Sequence, residues 1–276
     1  MFKKLLIKWA EEILEKFVQA GEGTETFLAV DLGAFNDVMY KWVEAIMKSV
    51  AMPIAYVILS LFFVLELHKA SLRADGVGGG TPFGVEVVFR AMLKMALCKM
   101  AIDSTLLIMR AIYGVSLAVT KGIAGVIKDE AGAVTESVDI AVLKTAIEAM
   151  DTGDQIGMLI ELVFVRFGIL VILGIVHVIC IGRFVTIYAH IAISPIPIAT
   201  IPSEELSSIA KGFLKSFAAV CLQGALIYLI LSFFPVLISA NILGDKSIFG
   251  LLLYSVILVM AIFGSGQLAK GICNAM

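Results

Sequence analysis

Two stretches near the C-terminal end decide most of what this chain can become. Residues 216–244 run for 29 positions without a formal charge, and residues 247–269 run for another 23. A helix needs about 20 mostly apolar residues to cross the hydrocarbon core of a bilayer, so each stretch is long enough to span. Composition extends the argument to the whole chain: 60% of its 276 residues are hydrophobic, 16% are charged, and mean hydropathy is +1.01. A soluble domain is typically about 45–50% apolar and about 25% charged. The excess apolar surface is too large for one core, and lipid has to cover part of it. The expected fold is all-α, a polytopic helical membrane protein.

The rest of the chain divides around this theme. Residues 1–48 are expected to form extracytoplasmic helices. The first, over 2–19, is amphipathic, with Leu5, Leu6, Trp9, Ile13 and Phe17 at 3–4 spacing. Lys8, Glu11 and Glu12 interrupt its apolar run too early for a secretory signal. A mixed helix over 27–48 carries Asp37, Lys41, Glu44 and Lys48 and leads into span one, Ser49–Leu65, uncharged over 17 residues with Pro53 in its first turn. The Gly76–Gly80 run lacks a Gly-Lys-Ser/Thr ending and a preceding strand, so it reads as a connector and not as a phosphate cradle. Residues 85–99 place Glu86, Arg90 and Lys94 on one face, as an interfacial helix would. Span two follows over 101–127, an acidic extracytoplasmic loop over 128–155, and span three over 156–181.

The C-terminal membrane domain, 156–276, contains one anomaly. Residues 184–203 hold no charge, yet Pro195, Pro197 and Pro202 interrupt the second half. Each proline removes a backbone hydrogen bond and clashes with the preceding turn. A broken segment at membrane depth survives only where protein or a water-filled cavity covers it. The expectation is five full spans plus this broken segment, which either re-enters or forms a sixth span. Ser203 with Glu204 and Glu205 then opens a new helix, a cap followed by acids in the first turn.

Charges inside spans are costly and either pair, snorkel or face a cavity. Asp103 and Arg110, seven apart on one helical face, and Glu161 and Arg166 on span three are the candidate channel-lining or interhelical polar residues. Metal chemistry has no footing: His177 and His190 lack further ligands at a recognisable spacing. Cys98, Cys180, Cys221 and Cys273 are scattered through apolar stretches without CxxC spacing. No HExxH, GxSxG or Ser-His-Asp pattern is legible, and no cofactor is expected. A net charge of −2 gives no global field for nucleic acid. These features point away from an enzyme and leave open a small-solute transporter or ion channel using the intramembrane charges. Internal repeats typical of many transporters are not found.

Orientation follows from loop charge. The 68–99 segment holds Lys69, Arg73, Arg90, Lys94 and Lys99, whereas 128–155 holds only Lys128 and Lys144. Positive charge favours the cytoplasm, so the N-terminus is expected outside. A re-entrant proline segment puts Arg183, Lys211, Lys215 and the C-terminus inside.

One stretch has a family character. Arg183-Phe184, the run Ala192–Thr200 (AISPIPIAT), Glu204-Glu205, the run Ile209–Ser216 (IAKGFLKS) and Gln223-Gly224 together resemble the TrbL-like, VirB-six-like polytopic subunit of conjugative type IV secretion systems, in the form found on mobile elements of Gram-positive bacteria. The resemblance implies a cytoplasmic-membrane channel component, oligomeric, assembled with other secretion subunits and their ATPases and taking part in moving DNA or protein across the bilayer. It implies no catalytic residues. The proline segment, with Arg183, Pro195, Pro197, Pro202, Glu204 and Glu205, becomes a candidate hinge or assembly point.

Overall fold

The structure, a computed structural model, describes residues 28–76, 85–131, 152–203, 205–239 and 248–275. Every regular element among them is helical. The helix expected over 2–19 and most of the acidic loop lie outside the described residues.

Two short capped helices open the described chain. Asp31 Oδ2 accepts the Gly33 N–H at 3.3 Å to start α1 (Leu32–Phe35), and Asn36 Oδ1 accepts the Met39 N–H at 2.9 Å to start α2 (Asp37–Ile46). Such caps satisfy donors that the first helical turn leaves orphaned. On α2, Asp37 pairs with Lys41 and Glu44 with Lys48, each at 2.6 Å and each with the acid one turn N-terminal to the base.

The helical path does not stop at Ser49. A π-turn over Met47–Ala51 carries it into α3 (Met52–Gly76), with the Met52 N–H bonded to the Met47 carbonyl. Pro53 therefore sits inside a long helical run and not at the start of one. It contributes no N–H to the ladder, and the widened turn immediately before it is the local adjustment that lets the helix continue.

α4 (Val85–Asp103) and α5 (Thr105–Ala131) meet at a turn on Ser104. The ladder runs through that turn, since Ser104 N bonds Met100 O and Ile108 N bonds Ser104 O. α6 spans Thr152–Ile193, α7 is the single turn Pro195–Ile198, and α8 (Ser207–Ser239) and α9 (Ile248–Ile272) complete the chain.

Among the described residues five helical stretches are long and apolar enough to cross a membrane: Asp37–Lys69, Thr105–Ile127, Arg166–Ile193, Ser207–Phe233 and Leu253–Ile272. The count of five agrees with the sequence. The bounds move. The first stretch is Asp37–Lys69 against the expected Ser49–Leu65, and the second is Thr105–Ile127 against 101–127. The third reaches Ile193 instead of residue 181 because α6 persists through residues 184–193. The last two are Ser207–Phe233 and Leu253–Ile272 against 216–244 and 247–269. Only 22–39% of each apolar window is buried within the chain. Each span therefore leaves apolar surface open, as expected where lipid is the solvent.

Contacts divide the chain into two compact units. One comprises residues 31–115, 184–221 and 270–276. Its core joins Ala55, Leu59 and Phe62 of α3 to Met95, Cys98 and Ile102 of α4 and to Ile198 and Ala199. In the same unit α1 docks on the end of α6, where Phe35 stacks on Phe184 with centroids 3.9 Å apart and Tyr188 Oη donates to the Leu32 carbonyl at 2.7 Å. The other unit includes residues 28–30, 116–131, 152–183, 222–239 and 248–269. Its core takes Ile172, Val176 and Cys180 from α6, Ile227 and Tyr228 from α8, and Tyr254, Leu258 and Ile262 from α9. The four-residue spacing on α6 and α9 keeps those residues on one helical face.

Candidate functional site

The proline segment is a packed turn. α6 holds to Ile193, so the break is confined to 194–206 and connects the third apolar stretch to the fourth. Pro195 supplies no N–H for the Ile191 carbonyl; Ser194 does so instead, through its N–H at 3.4 Å and its hydroxyl at 2.7 Å. Further along, Ala199 N bonds Pro195 O, Thr200 donates to Pro197 O through both N–H and hydroxyl, and Ile201 N bonds Ile198 O. Ser203 Oγ accepts the Leu206 N–H at 3.3 Å, a side-chain cap just ahead of α8. Ser194, Pro195, Ile198, Ala199, Thr200 and Pro202 are buried. Ile198 and Ala199 insert between α3 and α4, and the Cys98 thiol contacts the Ile198 carbonyl at 3.8 Å.

Of the other residues expected around this segment, Glu205 belongs to it and Arg183 does not. Glu205 Oε1 meets Lys69 Nζ at 2.8 Å, tying the end of the first apolar stretch to the entry of the fourth. Both side chains are exposed, so the contact marks position more than it supplies stability. The Lys69 hydrogen bond and charge hold the Glu205 carboxyl below its usual range. A carboxylate whose pKa is depressed on folding contributes above its unfolded pKa and loses that contribution as pH falls through the folded one. Because the two groups are in contact, a zero-length carbodiimide crosslink between Lys69 and Glu205 should form and should vanish in Lys69→Gln. A crosslink of equal yield in that variant would discredit the contact. Glu204 lies outside the described residues.

Arg183 belongs to the other unit and is only 5% exposed. Its guanidinium lies against Gly224 of α8: a Cβ built on Gly224 would fall 1.2 Å from Arg183 Nη1. The neighbouring Gln223 reaches α9, with Nε2 donating to Ser265 Oγ at 3.5 Å, and a Cβ on Gly266 would stand 3.3 Å from that same Nε2. Gly224 and Gly266 are thus explained by close approach of polar side chains to helix backbone, whereas a Cβ on Gly264 would meet nothing within 4 Å.

Asp103 and Arg110, expected to share a face and a role, are given separate partners. Asp103 accepts a hydrogen bond from Tyr56 Oη and stands 3.5 Å from Lys99 Nζ. Arg110 lies over the Tyr40 ring, its Cζ 4.9 Å from the centroid, a cation–π contact. The segment expected at the interface over 85–99 is part of α4, which runs antiparallel along α3, with Lys94 on Glu66 at 3.0 Å and Asp103 on Tyr56. Arg166 is half-buried at the start of the third apolar stretch; the Glu161 side chain lies outside the described residues.

Tyr56 and Tyr40 were not legible as partners, because each contact joins residues distant in sequence and neither tyrosine stands in a motif. Both His177 and His190 bring Nδ1 to a carbonyl one turn back, at 2.9 and 2.8 Å. Among the described residues no group of three or more His, Cys, Asp or Glu is arranged to hold a metal ion.

Five apolar helices, charges held by tyrosine and lysine, and a buried proline turn define a polytopic helical membrane protein. Residues 30–195 match the model of a family described as TrbL/VirB6 plasmid conjugal transfer like protein, and the chain belongs to that family. The matched stretch covers the first three apolar helices and ends at Pro195. No curated protein and no solved structure matches the chain. The family is a structural component of conjugal transfer, and membership implies partnership with other subunits of a transfer system.

Proposed function

We propose that this chain is a channel or scaffold subunit of a conjugative type IV secretion system, seated in the cytoplasmic membrane and helping DNA or protein substrate to cross. The observation that carries the reading is the family match over residues 30–195, which includes three of the five apolar helices. The subunit works as a homo-oligomer beside other secretion subunits, and partner ATPases supply the energy. Its N-terminus is outside and its C-terminus cytoplasmic. An odd number of spans puts the termini on opposite sides, and the excess of Lys and Arg over 68–99 sets which side is which. The Lys69–Glu205 contact supports this arrangement, since it requires the end of the first span and the start of the fourth to share a side.

The decisive experiment is conjugative transfer from a donor carrying an in-frame deletion of the gene. Transfer should fall to background and return when an intact copy is supplied on a plasmid. Undiminished transfer from the deletion strain would remove the chain from the secretion machine.

A further inference from the structure

Tyr56 is the eighth residue of the 17-residue uncharged run Ser49–Leu65. At 1.5 Å per residue that run is about 25 Å long, so Tyr56 stands roughly 10–14 Å from either end. The two ties between α3 and α4 give the register of their pairing. Lys94 meets Glu66, the first charge past the run, and Asp103 meets Tyr56 at its centre. The ties are ten residues apart on α3 and nine apart on α4, as an antiparallel pair of equal rise demands. The Asp103 carboxylate is therefore held level with the middle of the uncharged run Ser49–Leu65, next to Lys99 and just ahead of the apolar window Thr105–Ile127. A bilayer centred on Tyr56 thus takes in α4 from Lys94 onward together with the first part of that window. In the single chain the Asp103 side chain is 44% exposed and that of Lys99 65% exposed.

An exposed charge at that level needs a polar surrounding. Snorkelling rescues long side chains, but aspartate has one methylene and cannot reach either end of the run. Exposed apolar residues occupy other positions of α3, including Val57 at 68% and Leu61 at 59%, and these suit lipid. We propose that Lys99, Asp103 and Tyr56 line a water-filled path at membrane depth, with the Val57–Leu61 surface turned to lipid. The proposal rests on the channel reading and assigns to it the part of the surface that meets water. Tyr56 orients the carboxylate, and Lys99 balances its charge, so the wall presents hydrogen-bonding groups without a strong net field.

The test is thiol accessibility in cells carrying the complete transfer system. Cys98, Cys180 and Cys221 are buried, so Cys273→Ser supplies the background. Single variants Asp103→Cys, Lys99→Cys, Val57→Cys and Leu61→Cys are treated with a charged, membrane-impermeant methanethiosulfonate. Cysteines at 103 and 99 should react at least about tenfold faster than those at 57 and 61. Four silent positions would mean that lipid or a dry contact covers the cluster. Four reactive positions would mean that this level lies at the membrane surface. Either result overturns the proposal. Lys99→Cys keeps the test decisive if Asp103→Cys fails to accumulate, because Lys99 is the more exposed of the pair. Transfer in the deletion strain judges the channel reading separately: lost transfer with silent cysteines at 99 and 103 sinks the path and leaves the function standing.

Discussion

Replacing Gly224 by alanine is expected to destabilise the unit containing residues 152–183 and 222–269, although the change adds one methyl group. That methyl would stand 1.2 Å from Nη1, 2.4 Å from Cζ and 2.9 Å from Nη2 of Arg183. A guanidinium at the end of an exposed side chain would swing aside at little cost. Arg183 is 5% exposed, so it has to displace packed neighbours or carry its charge to a less favourable place. Overpacking of a well-filled interior costs about 1–3 kcal/mol, and the need to move a charge places this variant at the upper end of that range. The measurement is thermal or SDS-induced unfolding of the purified protein in detergent. A double-mutant cycle supplies the discriminating readout. In an Arg183→Ala background the clash is gone, and Gly224→Ala should be nearly silent, a coupling of roughly 0.5–3 kcal/mol between neighbours. An equal penalty in both backgrounds would show that the helix, not the arginine, requires glycine at this position.

This pair also shows what the sequence could and could not disclose. Arg183 and Gly224 were both visible in the stretch that resembled the family, but their contact joins two helices and no periodicity encodes it. What was legible rested on chemistry that acts along the chain. The uncharged runs over 216–244 and 247–269 announce spans because lipid tolerates no charge there. The proline break was legible for the same reason, since a missing N–H is a local defect. Its extent was less so: the expected broken segment is 184–203 with the interruption in its second half. α6 continues through the first half to Ile193 and ends just before Pro195, the first residue of the short helix that follows. Pro53 illustrates the reverse case. It was expected to open span one, but a π-turn over Met47–Ala51 absorbs it within a continuous path. Asp103 and Arg110 were read as a pair on one face because only their own helix was in view. Tyr56 and Tyr40, brought from elsewhere, divide them.

The double variant Pro195→Ala, Pro197→Ala should impair transfer sharply while leaving the protein in the membrane. Alanine restores the N–H groups that the prolines lack, so residues 195 and 197 could bond to the carbonyls of Ile191 and Ile193 and α6 could run on. The Ser194 hydroxyl, which now serves the Ile191 carbonyl, would lose that role. A straightened helix withdraws Ile198 and Ala199 from the core they share with Ala55, Leu59, Phe62, Met95 and Ile102. Ile198 is 1% exposed, and removing a large aliphatic side chain from such a site costs about 2–5 kcal/mol. The spans do not depend on this turn for their hydrophobicity, so membrane insertion persists while the packing of α3 and α4 against residues 194–203 fails. A conservative control separates turn geometry from burial: Ile198→Val keeps the backbone and most of the contact, at a cost of about 0.5–1.5 kcal/mol. It should transfer nearly normally. Membrane-fraction blots report insertion, and transfer frequency reports assembly. Full transfer by the double variant would mean that the closed turn is an incidental consequence of the prolines. Loss of the protein from the membrane would mean that the turn is needed for insertion itself. Reduced transfer at normal abundance, with Ile198→Val intact, identifies the buried proline turn as the element through which the subunit is fitted to its task.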